Sequence, residues 1–273
     1  MTTNLLVERL EEIGWHYTAD QIDGLLEHAS KNNVPYSDFL ITLSSQEIEQ
    51  KEKAAIDKHL KKAKLPYIKS IHDFDFSFQP SIDERRVKEV LSGRYIHNGD
   101  NILLLGPPGV GKTHLAISMA FEAITNGNQA LFITANDFIA ECQKAEKQGL
   151  IRRIIKRYSR PELLIIDELG YFSFDELSAH TLFQIISRRY EHGAMIITSN
   201  KSYVEWGKIF GDEVLATAIL DRLIHHSTTF NIKGDSYRLR EKKKAGIQPA
   251  KIRLIIGNLI PLKTGNFKPL LTQ

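Results

Sequence analysis

Gly106–Thr113 reads G-P-P-G-V-G-K-T and lies between an apolar run, Ile102–Leu105, and a stretch of helical composition, Leu115–Ala120. This is the G-x-x-x-x-G-K-[ST] pattern in a strand–loop–helix setting. The glycines let successive backbone N–H groups point at phosphate oxygens, and the new helix adds the positive end of its dipole. Lys112 supplies a charge for the outer phosphates, and the Thr113 hydroxyl is a ligand for Mg²⁺. The sequence therefore predicts a nucleoside triphosphate site, with contacts from Gly106, Pro107, Pro108, Gly109, Val110, Gly111, Lys112, Thr113 and His114.

Five short apolar runs alternate with helical stretches along the rest of the chain. They are Ile102–Leu105, Ala130–Thr134, Leu163–Asp167, Ala194–Ser199 and Thr228–Ile232. Strands that alternate with helices favour a mostly parallel sheet covered by helices on both faces, so the predicted fold class is α/β. Ahead of the first run we expect an extended lead-in at Ile71–Phe78 and a helix over Ile82–His97.

The ends of the chain differ in composition from its middle. The first 64 residues have helical periodicity, with Ser37 as a predicted N-cap, and Pro66 marks a boundary. We expect a small helical domain at 1–64, a phosphate-loop domain at 65–245 and a basic tail at 246–273. From Lys233 onward the chain carries a net charge of +8, so the preceding residues carry −5 of the overall +3. A basic end suggests a polyanion partner, although a solvated tail would have the same composition.

Composition also bears on the compartment. The single cysteine, Cys142, excludes an intramolecular disulfide and fits a reducing environment. The first thirty residues contain six acids and no apolar core, so we expect no secretory signal. No run approaches the roughly 18 apolar residues that a membrane span requires. The expected location is the cytoplasm, with no membrane partner.

Two carboxylates follow directly after the apolar residues of Leu163–Ile166. A strand that ends in Asp-Glu beside a phosphate-binding loop is typical of an ATPase. Asp167 is expected to hold Mg²⁺ together with Thr113. Glu168 points in a different direction and can polarise the attacking water. A strand that merely ends in solvated acids would have the same sequence, but the upstream phosphate loop favours the catalytic interpretation.

Two further polar residues are candidates for the reaction. Asn200 follows Ala194–Ser199, and in a parallel sheet that end lies beside the nucleotide crevice. Its amide would orient the water or contact the outermost phosphate, unless it is only a turn residue. Arg222 precedes the last strand, where an arginine is either an ordinary surface residue or one that completes a neighbouring subunit's site. An arginine finger adds positive charge where the transition state develops negative charge.

A stripe of cations follows helical spacing within Leu150–Arg160. Its members are Arg152, Arg153, Lys156, Arg157 and Arg160, opposite an apolar face, and Lys144 and Lys147 extend the patch. Five cations without an acid among them suit a row of phosphates and read no bases. A merely solvated helix face is the alternative. If phosphates supply the affinity, DNA binding should be largely independent of sequence and should weaken steeply with salt.

Several segments together resemble the AAA+ superfamily, in the branch of bacterial helicase loaders and transposition helper ATPases. The chain is most similar to IstB-type helper proteins of bacterial insertion sequences. The segments that carry the resemblance are Gly106–Thr113, Leu163–Tyr171, Ile186–Glu191, Ile197–Asn200, Trp206–Leu215, Asp221–Ser227 and Gly234–Arg238. The phosphate loop and the Asp-Glu pair are generic, whereas W-G-x-x-F-G-D, D-R-L-x-H-H-S and G-x-S-Y-R are much more specific. Nothing is carried over onto the tail after Lys244.

The resemblance implies an Mg²⁺-dependent ATPase of the bacterial cytoplasm. Such proteins form homo-oligomers around double-stranded DNA with nucleotide between subunits, bend the DNA, and direct a transposase to a target. Arg222 matches the arginine finger, Asn200 matches a sensor, and Arg238 is a weaker match to a second sensor. The N-terminal helices would serve self-assembly and partner contact.

Three alternatives remain at this point. A DnaC-like replicative helicase loader would share the ATPase core but hold single-stranded DNA, which exposed aromatic side chains near the basic stripe would favour. A small-molecule kinase would need a lid and a second, arginine-rich substrate site, and a water-activating glutamate is a liability there. A nucleotide-gated binding module without hydrolysis would lack Glu168 or Lys112, and both are present.

Overall fold

The computed structural model describes residues 2–244, so the predicted tail at 246–273 lies outside the described residues. The strands are β1 (Asn101–Leu105), β2 (Ala130–Thr134), β3 (Leu163–Leu169), β4 (Ala194–Ser199) and β5 (Ser227–Asn231). The helices are α1 (Thr2–Glu12), α2 (His16–Lys31), α3 (Tyr36–Ala63), α4 (Glu84–Leu91), α5 (Arg94–Asn98), α6 (Lys112–Thr125), α7 (Ala135–Lys147), α8 (Ile151–Ser159), α9 (Glu176–Arg189), α10 (Trp206–Phe210), α11 (Glu213–His225) and α12 (Tyr237–Lys244). Short 3₁₀ turns occur at Ile71–Asp73 and Tyr203–Glu205.

The five strands form one sheet in the order β2-β3-β4-β1-β5, and every pairing is parallel. Each strand lies within two residues of the bounds expected from sequence. Parallel strands require crossover connections, and the intervening helices supply them. The predicted α/β fold class is confirmed, and all five strands end at the same edge of the sheet.

Both faces of the sheet are buried, because alternate strand residues point into two separate cores. Leu103, Ile133 and Ile166 pack under α7, α8, α9 and α11 on one face. Leu104 and Ile165 pack under α6 on the other face, together with α4, α5 and the end of α3. Side chains of this kind each stabilise the fold by about 1.5–3 kcal/mol when fully buried. The two cores hold the strand ends in fixed register.

The N-terminal helices form a third, much smaller cluster. Its buried residues are Leu10, Ala19, Ile22 and Leu43, contributed by α1, α2 and the first half of α3. The predicted N-cap Ser37 is wrong, because α3 begins at Tyr36 after Pro35 and has no side-chain cap. Pro35 lacks an N–H, so its position loses nothing by preceding the first turn, and its carbonyl accepts the Phe39 N–H at 3.0 Å.

The second half of α3 belongs to the sheet domain by its contacts. Ile56 and Leu60 pack against the core that contains α6, and Ala63 is completely buried there. The helix ends at Lys64, which adopts a left-handed conformation with φ +57°. One continuous helix of 28 residues therefore joins the small cluster to the sheet. The division at residue 64 stays a prediction.

Two expectations ahead of β1 are wrong. Ile71–Phe78 is not extended, because Ser70 and Asp73 form a capping box that starts a 3₁₀ turn. The expected helix over Ile82–His97 is split at Gly93, which has φ +80° and separates α4 from α5. The sequence has an alternating pattern in the first segment and a helical pattern in the second. The capping box decides the conformation of the first, and the left-handed φ of Gly93 interrupts the second.

Two further features concern the chemistry of the chain as a whole. Within residues 2–244, no helix combines the length and the apolar character needed to cross a bilayer. Cys142 is fully buried, and burial raises the pKa of its thiol to about 12. At neutral pH this thiol is protonated and out of contact with solvent, so it has the properties of a core residue.

Candidate nucleotide-binding site

The loop between β1 and α6 wraps around a cleft at the carboxyl edge of the sheet. Two of its glycines are required by their surroundings as well as by their backbone angles. A Cβ on Gly111, whose φ is +102°, would lie 2.7 Å from the ring of Phe74. A Cβ on Gly109, whose φ is +82°, would collide with Ser236. Residues before β1 and after β5 therefore close on the loop from two sides.

Lys112 begins α6 and is 7% exposed. Its Nζ donates hydrogen bonds to the carbonyls of Gly106 at 2.6 Å and Pro107 at 2.8 Å. Burial lowers the pKa of Lys112 to about 8, against the opposing effect of Asp167 and Glu168. The ammonium group is thus held inside the loop, where its charge is weakly screened.

Thr113 lines the cleft and contacts Asp167, which is buried and does not line it. The Thr113 hydroxyl lies 3.0 Å from both carboxylate oxygens of Asp167, and the Thr198 hydroxyl donates to the same carboxylate at 2.5 Å. Asp167 is 3% exposed, and burial raises its pKa despite these hydrogen bonds. A buried carboxylate beside a hydroxyl is a hard-oxygen donor set of the kind that Mg²⁺ prefers. The residues present therefore fit the expected ion.

Glu168 is presented to the cleft by an irregularity in β3. The pairing of β3 with β4 shifts between Ile166 and Leu169, and Glu168 has φ +62°. Its N–H donates to the Thr198 hydroxyl at 2.9 Å. This conformation is costly for a residue with a side chain, and such residues cluster at functional sites. Asp167 is consequently buried while its neighbour Glu168 is exposed in the cleft.

The cleft has a volume of about 290 Å³ and unites residues from five parts of the chain. The sequence-predicted residues that line it are Gly109, Val110, Gly111, Lys112, Thr113, His114, Glu168 and Arg238. Those that the sequence did not suggest are Tyr67, Lys69, Asp73, Phe74, Asp75, Phe78, Gln79, Tyr171, Thr198 and Tyr237. Gly106, Pro107 and Pro108 form the base of the loop and are not among the lining residues.

The segment before α4 supplies the unpredicted aromatic side of the cleft. The His114 ring lies edge-on to Phe74 with centroids 5.2 Å apart, and its Nε2 is 3.3 Å from the Ser70 carbonyl oxygen. Burial lowers the pKa of His114. Phe74 also contacts Phe76. The signal in the sequence is the aromatic run itself, for which the alternating pattern predicts only an extended lead-in.

Arg238 lies on α12, which is attached to the phosphate loop. The Tyr237 N–H donates to the Gly109 carbonyl at 2.9 Å, and both Tyr237 and Arg238 line the cleft. Asn200 follows β4 but is not among the lining residues. Its side-chain oxygen is buried and has no hydrogen-bond partner within residues 2–244. The amide is thus adjacent to the site with an unused acceptor.

Arg222 lies outside its own chain's cleft. It is on α11, as the sequence predicts, and its guanidinium is 4.8 Å from the centre of the Phe183 ring while donating to the Ala218 carbonyl at 2.9 Å. The side chain is half-buried. This placement leaves two possibilities, a structural residue or one that acts on a neighbouring subunit.

The predicted basic stripe is on α8, with an extension on α7. Six of its members are exposed, namely Lys144, Lys147, Arg152, Arg153, Lys156 and Arg160. Arg157 differs, because it donates to Glu141 at 3.0 Å. The sequence stripe contained no acid, yet α7 places Glu141 beside it. Arg157 is therefore paired within the protein, and contact of the stripe with DNA stays a prediction.

Comparisons with known proteins agree with this geometry. The family model described as IstB-like ATP binding protein matches residues 8–245. The chain is 52% identical over 225 residues to a protein of Geobacillus stearothermophilus named for ATP binding in insertion sequence IS5376, covering 82% of this chain and 90% of that one. It is 43% identical over 239 residues to the corresponding IS21 protein of Pseudomonas aeruginosa, covering 88% of each.

The fold is shared with AAA+ proteins of known structure. AMPPCP-bound DnaA from Aquifex aeolicus superimposes with a TM-score of 0.51 at 23% identity, over 69% of this chain and 59% of that one. That likeness concerns the fold, whereas the family model and the sequence relatives extend over nearly all the described residues. The chain accordingly belongs to the IstB-like ATP-binding proteins of bacterial insertion sequences.

Proposed function

We propose that this ATP-binding protein hydrolyses ATP with Mg²⁺, assembles as a homo-oligomer on duplex DNA, bends it, and directs a transposase to it. The observation that carries the hydrolytic part is Glu168. A strained glutamate is presented to the cleft beside the phosphate loop, directly after a buried aspartate that contacts Thr113. A protein that only bound nucleotide would have no use for this costly conformation.

The residues divide the reaction among them. Lys112 and the loop N–H groups orient the outer phosphates, and Thr113 with Asp167 would hold Mg²⁺, which when bound neutralises charge on the phosphate oxygens. Glu168 accepts a proton from a water molecule as its oxygen attacks the terminal phosphorus. The bond from that phosphorus to the ADP oxygen breaks, giving ADP and phosphate. Asn200, which follows β4 at the same edge of the sheet, would position the water.

Arg222 would complete the site of a neighbouring subunit. Its own cleft does not include it, and its side chain is only half-buried on α11, so part of it is accessible to another copy. Each site would then be active only in an oligomer, so the isolated subunit should hydrolyse ATP slowly. Arg238, on the helix tied to the loop, would sense the nucleotide within the same chain.

Duplex DNA is favoured over single strands by the burial of Tyr158. Tyr158 is the aromatic residue of α8, and it is 1% exposed with its hydroxyl donating to Glu141 at 2.6 Å. A buried ring cannot stack on unpaired bases, which is how many proteins grip single strands. The exposed cations suit phosphates alone. The names of the relatives, which refer to insertion sequences, support a transposase rather than a helicase as the partner.

The hydrolytic proposal is tested with Glu168→Gln. This change keeps the size of the side chain and removes the base, so ATP binding should persist while turnover falls about 10²–10⁴-fold. Turnover is measured as phosphate release with and without Mg²⁺, and binding with a fluorescent ATP analogue. Glu162→Gln, at an exposed acid before the same strand, is the control. Retained turnover in Glu168→Gln would contradict the proposal.

A further inference from the structure

A second crevice lies at the amino edge of the sheet, away from the nucleotide. It has a volume of about 250 Å³ and lies between the end of α3, the start of β2 and the end of α8. Its polar lining is cationic or neutral, with His59 and Lys62 from α3 facing Arg157 and Arg160 from the α8 end. None of its lining residues is acidic. The crevice is therefore a concentrated positive site formed by two separate parts of the chain.

The charges of the crevice are largely uncompensated. Lys62 and Arg160 are exposed, and neither forms an ion pair within residues 2–244. The Nδ1 atom of His59 is buried and has no hydrogen-bond partner in the same range. An unpaired buried polar atom costs free energy unless something binds it. An anion in the crevice would use all three groups.

A second cavity along the edge strand has a mixed charge. It has a volume of about 460 Å³, and Lys64 and Lys144 share its lining with the acids Asp137 and Glu141. Both acids have partners within the protein, because Glu141 binds Arg157 and lies 3.8 Å from Lys64, and the Thr134 hydroxyl donates to Asp137 at 2.8 Å. The result is a groove along β2 with α3 as one wall and α7 and α8 as the other.

The unpaired cations of the groove lie at the amino end of β2. Lys62 and Arg160 line the crevice there, and the exposed cations of the α8 stripe continue from them. A DNA strand carries one negative charge at every nucleotide, so a single strand of a duplex can contact the crevice and the stripe together.

We propose that this β2 groove holds the phosphodiester backbone of duplex DNA, with Lys62 and His59 of α3 as phosphate contacts. The inference rests on the proposed binding of duplex DNA and adds a second wall to the α8 stripe. It gives the helix that carries the N-terminal cluster a direct part in holding DNA. Because α3 also packs on α6, which begins at Lys112, both ligands contact one rigid unit.

The test compares the two walls of the groove. Binding of a fluorescent random-sequence duplex is measured over a range of salt concentrations, with an ATP analogue present. Lys62→Gln and His59→Gln should each weaken binding about fivefold, and Lys62→Gln should lower the salt slope by about 0.9. Lys62→Arg should restore binding. Lys53→Gln, an exposed lysine on the same helix outside the groove, is the matched control and should have no effect.

A stripe variant separates the inference from the function on which it rests. If Arg152→Gln with Arg153→Gln weakens binding but Lys62→Gln and His59→Gln do not, the α3 wall is overturned while DNA binding stands. If no variant weakens binding, both are overturned. If polyglutamate displaces the duplex as effectively as an equal charge of DNA, the groove is a general polyanion site and the inference is wrong.

A placement experiment gives an independent answer. Cys142 is buried with a raised pKa, so a cysteine introduced by Lys62→Cys is the reactive thiol in the described chain. An iron–EDTA group attached there should cleave bound duplex DNA, whereas the same group at Lys53→Cys should not. Equal cleavage from both positions, or cleavage from neither, would contradict the groove.

Discussion

The nucleotide cleft and the β2 groove are built in different ways. The cleft lies where the strands end, and its phosphate loop is one contiguous segment whose backbone N–H groups would contact the phosphates. The groove lies along the edge strand and is made of side chains from α3, α7 and α8, which are far apart in the chain. A site formed by one backbone loop can be recognised in the sequence as a motif. A site formed by side chains from distant segments appears in the sequence only as separate charged residues. The comparison also implies that the two sites can be damaged separately.

The largest expected effect is a loss of ATP binding at the cleft with DNA binding at the groove unchanged. Lys112→Ala removes the ammonium that the Gly106 and Pro107 carbonyls hold in the loop. We expect ATP binding to fall by at least about 10²-fold, since a charge-assisted contact in a buried site is lost. Weak nucleotide-free DNA binding should be unchanged. Titration with a fluorescent ATP analogue and with duplex DNA measures both, and Lys53→Ala is the control. Normal ATP affinity in Lys112→Ala would mean that the cleft is not the site.

The next largest effect concerns Arg189, whose hydrogen bonds hold the end of α8 beside the groove. Arg189 is 2% exposed and donates to the carbonyls of Tyr158, Pro161, Glu162 and Ala194, which fixes the end of α8 to the sheet. Burial lowers its pKa only to about 10, so it stays charged. Arg189→Met should lower the free energy of unfolding by about 3 kcal/mol, because buried carbonyls lose their donor.

Urea unfolding of Arg189→Met measures this loss, with the exposed neighbour Arg188→Met as the matched control. At temperatures where the variant is folded, DNA binding should weaken more than ATP binding, because the carbonyls lie at the groove. A loss below about 1 kcal/mol, or equal effects on both ligands, would show that Arg189 does not support the groove selectively.

A smaller effect concerns the backbone strain at Glu168. Its φ of +62° costs free energy for a residue with a side chain, whereas glycine adopts this angle without that cost. Glu168→Gly should therefore be more stable than Glu168→Ala by about 1 kcal/mol, while both lose hydrolysis. Thermal unfolding of the two variants gives the difference directly. If the alanine variant is as stable as the glycine variant, the conformation carries no strain and does not mark function.

The smallest effect concerns the helix that carries the groove's second wall. Burial raises the pKa of Glu47, but hydrogen bonds from the Thr18 N–H at 2.9 Å and hydroxyl at 3.0 Å, with Lys51 nearby, bring it below its usual range. A lowered pKa contributes stability that is present at neutral pH and is lost as the pH falls through that lowered value.

Glu47→Gln should therefore increase hydrogen exchange in α2 about fivefold at pH 7 and much less in acid, where the wild-type carboxylate is itself protonated. Glu49→Gln, at an exposed position on the same helix, is the control. Exchange should rise in α1 and α2 and remain slow in β1 and α6. A uniform increase over the whole chain would mean that the N-terminal cluster and the sheet domain do not open separately.

The sequence predicted what depends on short-range patterns. The five strands, the phosphate loop and the Asp167–Glu168 pair follow from periodicity and spacing. It failed where the conformation depends on local capping, as at Ile71–Phe78, and where distant segments meet. Nothing near Phe74 indicates that its ring will lie against Gly111, and nothing near Lys62 indicates that Arg160 will face it. Glu141 likewise reaches Arg157 only because α7 and α8 pack together.

The most direct test of the central claim mixes two inactive variants. The Glu168→Gln subunit lacks the base but can still supply Arg222 to a neighbouring subunit's site. The Arg222→Ala subunit lacks the arginine finger but keeps Glu168 in its own site. On duplex DNA with ATP and Mg²⁺, each variant alone should be nearly inactive, while the mixture should recover a substantial part of the wild-type rate. Such recovery requires sites shared between subunits. If the mixture stays as inactive as its components, or if Arg222→Ala alone hydrolyses ATP normally, the account of a shared ATPase site assembled on DNA is wrong.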